Sequence, residues 1–185
     1  KMCLVGTACL RFYQFTGDKQ YLEPILPLAR TLFSHWRDGD ELHPPLPFRV
    51  NLKTGDIIDE YTANMVAMAE FCDRALELGV EGCDWAAQRD AAWAWITKYP
   101  MANQRWSGYY EDVKSNSPDN LNQQIPMETS RFMMRRADRY PEYQKVVPEL
   151  VEWVRNRFGA TRQFGATSVR EQDGCFKEMG SHTAR

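Results

Sequence analysis

Between its helix-patterned stretches the chain alternates very short turns with long segments, and this alternation limits the folds open to it. Thr16-Gly17-Asp18, Gly79-Val80-Glu81-Gly82 and Ala137-Asp138-Arg139-Tyr140 are turns of three or four residues. The other connections, Arg37 to Asp59, Tyr99 to Gln123 and Gly159 to Gly174, run to roughly 20 residues, well beyond ordinary connection lengths. Helices joined in sequence run up and down alternately. All three long segments must therefore leave from one end of a helical array.

Two kinds of helix alternate with the connections. From Lys19 to Trp36 the apolar residues Leu22, Ile25, Leu26, Ala29, Leu32, Phe33 and Trp36 recur at helical spacing, with Pro24 and Pro27 early, where missing amide donors cost least. Tyr143 to Phe158 repeats that one-sided stripe, and Asp84 to Ile96 follows it through Trp85, Ala92, Trp93 and Ile96. By contrast, Lys1 to Phe15 and Glu60 to Leu78 are apolar or small on nearly every side, as helices buried between neighbours should be. Gln124 to Arg136 is shorter and mixed.

Each long segment carries an extended piece. Arg49-Val50-Asn51-Leu52 turning through Lys53-Thr54-Gly55-Asp56 into Ile57-Ile58 predicts a short hairpin. Trp106 to Tyr110 and Gly165 to Val169 are weaker counterparts. The repeat is thus a helical hairpin of about 50 to 60 residues with one decorated end. A last helix is expected from Asp173 into Ser181-His182-Thr183-Ala184-Arg185. The start at Lys1 and the uncapped stop lead to the expectation of an excerpt: a single partial domain over residues 1–185, in a protein that continues both ways and whose further repeats cover its apolar edges.

Composition removes several function classes. A chain that is 43% hydrophobic and 12% aromatic can bury a core. A net charge of -2 with no basic run gives nucleic acid no electrostatic footing, and no apolar stretch is long enough for a membrane span. The five cysteines, Cys3, Cys9, Cys72, Cys83 and Cys175, lack metal-ligand spacing and read as buried thiols, which leaves the compartment open. No phosphate loop, GxSxG elbow, HExxH or EF-hand spacing appears, so neither metal nor other cofactor is expected. Calcium is the metal whose irregular oxygen ligation the loop acids would suit.

The helix alternation, together with Gly108-Tyr109-Tyr110-Glu111-Asp112, Asn122-Gln123-Gln124-Ile125-Pro126-Met127-Glu128, and Glu171-Gln172 followed by Met179 to Arg185, resembles the six-hairpin glycosidase superfamily, in its bacterial glycosidase-like members. The resemblance covers most of the chain. It implies an all-α fold, an (α/α) toroid fragment of about three helical hairpins with short β-hairpins in the long loops. In the full ring, six inner and six outer helices would surround a carbohydrate cleft at the N-terminal ends of the inner ones. Hydrolases, polysaccharide lyases and sugar epimerases share this fold, so chemistry must come from the site.

Glycoside hydrolysis uses two carboxyl groups flanking the scissile bond. Glu111, Asp112 and Glu171 are the catalytic candidates, because they sit in long loops where capping does not need them. Asp59 reads more simply as an N-cap, and Glu60 and Glu128 as first-turn acids favoured by the helix dipole. Phe48, Trp106, Tyr109 and Tyr110 offer planes on which sugar C–H faces stack, and Arg49, Asn51, Asn122, Gln123 and Gln124 offer partners for hydroxyls. The competing reading folds Trp106 and the tyrosines onto the helix ends. A lyase or epimerase would use His182, with Tyr110, to take a proton. His35 and His43 read as structural or exposed. A protein-binding helical-repeat scaffold, the rival from outside enzymology, would need short connections at both ends.

Overall fold

Asp84 starts the best-marked helix: its Oδ1 accepts the Ala87 N–H at 3.0 Å, and the helix runs from Trp85 to Ile96. In this computed structural model, residues 1–51, 53–59, 64–108 and 121–158 are described, with the backbone of 169–170 and 183–184. In chain order the helices are α1 (Met2–Thr16), α2 (Ile25–Ser34), α3 (Val66–Glu77), α4 (Trp85–Ile96), α5 (Gln124–Arg135) and α6 (Tyr143–Phe158). A 3-10 turn, Lys19–Leu22, precedes α2, and a π turn, Thr97–Met101, prolongs α4 past the end the sequence suggests.

The helices form three hairpins, α1/α2, α3/α4 and α5/α6, and α3 packs on both α1 and α5. The α1–α3–α5 row makes one layer, and the aromatic side chains of α2 and α4 fill the space beneath it. Phe33 of α2 meets Trp85 of α4 at 5.7 Å, and Trp85 meets Phe71 of α3 at 5.4 Å. Burying each such ring contributes about 1.5–3 kcal/mol. Gly6 lets α1 lie flush, since a Cβ there would come within 2.5 Å of the Phe71 ring. The structure is therefore all-α in class, a row of three hairpins with small antiparallel β pieces.

Three helix expectations change. α3 is buried on most sides, as its composition predicts, but it starts at Val66 and not at Glu60. α1 is not a buried helix. Gly6, Thr7 and Leu10 pack inward, while Leu4, Val5 and Phe12 are exposed and Phe15 is 90% exposed. An all-round apolar pattern tells only that a helix has apolar flanks: α1 meets α3, α2 and the 3-10 turn, where Phe12 stacks on Tyr21, and its remaining side is open among the described residues. Finally, Thr183–Ala184 is a strand (β4) paired antiparallel with Val169–Arg170 (β3), and no helix runs through it. There the inter-strand hydrogen bonds satisfy backbone groups that a helix would have paired internally.

The hairpin in the first long segment forms as predicted. β1 (Arg49–Val50) pairs with β2 (Ile57–Asp59), placing Arg49 opposite Asp59 and Val50 opposite Ile57. The second segment has a smaller counterpart, an antiparallel bridge between Ser107 and Leu121. Cys3, Cys9, Cys72 and Cys83 are free thiols, and burial pushes Cys3 up to about 11. Cys175 lies outside the described residues. No helix of the described residues is long and apolar enough to cross a membrane.

Candidate functional site

The first two long segments meet at one end of the helical row. The Trp95 indole Nε1 of α4 donates to the Asp40 carbonyl at 3.0 Å, and Arg105, just after α4, lies 3.8 Å from Glu41. The second segment then returns to the start of α5. Asn122 N–H donates to the Trp106 carbonyl at 2.7 Å, and Asn122 Oδ1 accepts from the N–H groups of Gln124 and Ile125 at 2.7 and 3.2 Å. Asn122 thus caps α5 through its Oδ1 and closes the base of its loop through its backbone. Gln123, the next residue, is half-buried at the same helix start.

Other sequence candidates divide sharply. Arg49 is exposed on β1, on the same segment as the Asp40 contact. Asn51 is committed to its hairpin turn, where Oδ1 accepts from Lys53 N–H at 2.9 Å. Trp106 is fully buried, so its ring packs against protein and cannot serve as a sugar platform. Asp59 ends β2, and Met65 occupies the N-cap position of α3. Glu111, Asp112, Tyr109 and Tyr110 lie outside the described residues. So do Glu171 and His182, the chain neighbours of the paired Arg170 and Thr183.

A cluster that the sequence reading missed occupies the open face of the α1–α3–α5 row. A cleft of about 210 Å³ is lined by Arg11 of α1, Glu70 of α3, and Glu128, Arg131 and Arg135 of α5. Arg11 Nη2 donates to Glu70 Oε1 at 2.7 Å, and Arg135 Nη1 stands 3.6 Å from the same oxygen. Glu128 Oε1 accepts from Gln124 Nε2 at 2.6 Å and lies 3.9 Å from Arg131. Glu128 is on the second turn of α5, too far along for its first-turn reading. Two carboxylates and three guanidinium groups on a concave face can bind polar groups and hold charge in fixed places. The signal available in sequence was a charged spacing, Glu128-Arg131-Arg135, on one helix face.

A different ionic cluster sits at the short-turn end. Asp73 of α3 is buried against Arg89 of α4 and against Arg136 and Arg139 after α5, with Arg89 at 3.3 Å. Beside it, Tyr140 packs on Trp93 at 4.5 Å and on Phe132 at 5.4 Å. Burial, with Asp73's charge nearby, pushes the Tyr140 phenol above its ordinary value. Among the described residues this end is packed with side chains, with Asp73 2% and Tyr140 6% exposed. Comparison with protein-family models, with curated proteins and with solved structures finds no match for the chain.

Proposed function

We propose that the chain belongs to a carbohydrate-active enzyme of the α/α-toroid type, acting as a glycoside hydrolase through paired carboxylates. The observation that supports this most is the asymmetry of the hairpin row. One end is closed by short turns and the Asp73 cluster, while at the other the first two long segments converge, tied by the Trp95–Asp40 and Arg105–Glu41 contacts. Loops that long on a rigid scaffold are where binding and catalytic groups concentrate. A tetratricopeptide-type scaffold has no use for such asymmetry.

In this reading Glu111, Asp112 and Glu171 supply the general acid and its carboxylate partner, and Tyr109 and Tyr110 supply sugar platforms. Arg49, Gln123 and His182 hold hydroxyl groups. One carboxyl must stay protonated near neutral pH to protonate the leaving oxygen, which partial burial achieves. The Glu70–Glu128 cleft lies on the adjoining face and extends the surface a chain-like substrate would cross.

The test is a reducing-end assay of the protein on a panel of polysaccharides, run beside an ultraviolet assay for unsaturated products. The hydrolase reading expects new reducing ends without absorbance. It also expects a loss of about a hundredfold to ten-thousandfold when an acid–base carboxylate among Glu111, Asp112 and Glu171 becomes alanine. Full activity in all three variants rejects the assignment, and an absorbing product moves it to a lyase.

A further inference from the structure

The cleft on the open face of the α1–α3–α5 row has an apolar floor under a charged rim. Val66, Ala67 and Phe132 line it and are buried, whereas the arginines around them are more than half exposed. Three guanidinium groups face two carboxylates there, which leaves one positive charge in excess.

Those ionic groups are unequally used. Glu70 holds Arg11 through a 2.7 Å hydrogen bond, and Glu128 takes its 2.6 Å hydrogen bond from the Gln124 amide and not from an arginine. Arg135 stands 3.6 Å from Glu70, and Arg131 stands 3.9 Å from Glu128. At such distances opposite charges attract, but no hydrogen bond is made. Both guanidinium groups therefore carry N–H donors that neither carboxylate of the cleft takes up. They lie four residues apart on α5, which makes them neighbours on one face of that helix.

We propose that the Arg131–Arg135 side of this cleft binds the carboxylate group of a small organic acid or sugar acid. A carboxylate is planar and offers two oxygens, which the guanidinium fork meets with two parallel N–H donors. The single excess charge matches a monoanion. A dianion such as phosphate would be set more strongly against Glu70 and Glu128, whose like charge disfavours it. A neutral hydroxyl gains less than a carboxylate, because a hydrogen bond between two ionised groups is the stronger one. The apolar floor keeps water from one side of the pair, which strengthens the attraction. A volume of about 210 Å³ admits an acid group and a small body, far less than a protein partner would bury. The site needs only the cleft and stands apart from the hydrolase reading.

The test titrates the protein with propionate, glucuronate, phosphate or glucose, at an ionic strength held constant with sodium chloride. The α5 backbone amides and the arginine Nε–H resonances report binding. Propionate and glucuronate should shift the Arg131 and Arg135 signals with a Kd on the order of 10 mM, the weak affinity that a pair of charge-assisted hydrogen bonds allows in an open cleft. Tighter binding of glucuronate assigns the acid group to a sugar, and tighter binding of propionate assigns it to an apolar acid; either order supports the site. Arg131→Gln and Arg135→Gln change side chains that are 59% and 57% exposed, so they keep the fold. Each should weaken binding by about threefold to tenfold. Shifts no larger than those from glucose, tighter binding of phosphate than of both acids, or full affinity in both glutamine variants would overturn the site. Binding is read without turnover, so loss of the hydrolase reading leaves this result standing.

Discussion

Asp73 and Glu70 lie three residues apart on α3, and both face arginines, yet they do opposite work. Asp73 is 2% exposed and meets Arg89, Arg136 and Arg139 in the seam joining the second and third hairpins. Glu70 keeps a 20% exposed side chain on the open face, and its partners Arg11 and Arg135 are more than half exposed. The same ionic chemistry is architecture where water is excluded and adaptable where it is not. A buried carboxylate that loses its partners, or leaves them stranded, carries a large penalty, while an exposed pair exchanges its partner for water at little cost.

The comparison can be broken at its strongest point. Asp73→Ala leaves three guanidinium groups around a vacated seam and should cost about 3–5 kcal/mol in urea unfolding. A cost below about 1 kcal/mol would mean that the seam hydrates freely and that burial does not divide the clusters. Arg139→Ala probes the same cluster from its wet edge. Its side chain is 45% exposed, so solvent screening should hold the loss to about 1 kcal/mol.

Glu70→Gln sharpens the other half. Stability should change by less than about 1 kcal/mol, and the difference should shrink further in about 1 M salt, where screening acts over only a few ångströms. Should the open cleft contact substrate, the same variant would lose turnover while keeping its midpoint of unfolding. Loss of stability comparable to that of Asp73→Ala would instead make Glu70 a structural residue.

Neither cluster could be assembled from the sequence, because the partners come from different hairpins. Arg11 and Glu70 are 59 residues apart, and Asp73 and Arg139 are 66 apart. Local patterns carried what local physics determines: the stripes of α2, α4 and α6, the short turns, and the β1–β2 hairpin with its Asn51-anchored turn. They failed where an answer needs a neighbour. The apolar flanks of α1 gave no sign of which would be covered, and Trp106 looked like a loop aromatic although it is core. The row of hairpins was legible because periodicity and connection length are local. The candidate site was legible only as loops rich in acids and aromatics, and Glu111, Asp112 and Glu171 stand as proposals.

A third carboxylate extends the contrast to the exposed limit. Asp40 has a 63% exposed side chain, yet it organises the turn at residues 40–43 beside Trp95. The hydrogen bond with the His43 ring, aided by the Leu42 and His43 N–H groups, holds its carboxyl below the usual carboxylate range. A folded pKa below the unfolded one means that the carboxylate's contribution is fully present above the ordinary aspartate value. It is lost only as pH falls through the lower, folded value. The Trp95 indole N–H, which reads the turn through the Asp40 carbonyl, should therefore hold steady from neutral pH down to about pH 4 and move only below it. A resonance that stays in place below that point as well would show that the turn is held by its backbone bonds alone and that Asp40 is incidental. A local change without global unfolding is the expected outcome, because an exposed carboxylate can bind a proton without opening the core, whereas Asp73 is tied to three arginines across the hairpin seam.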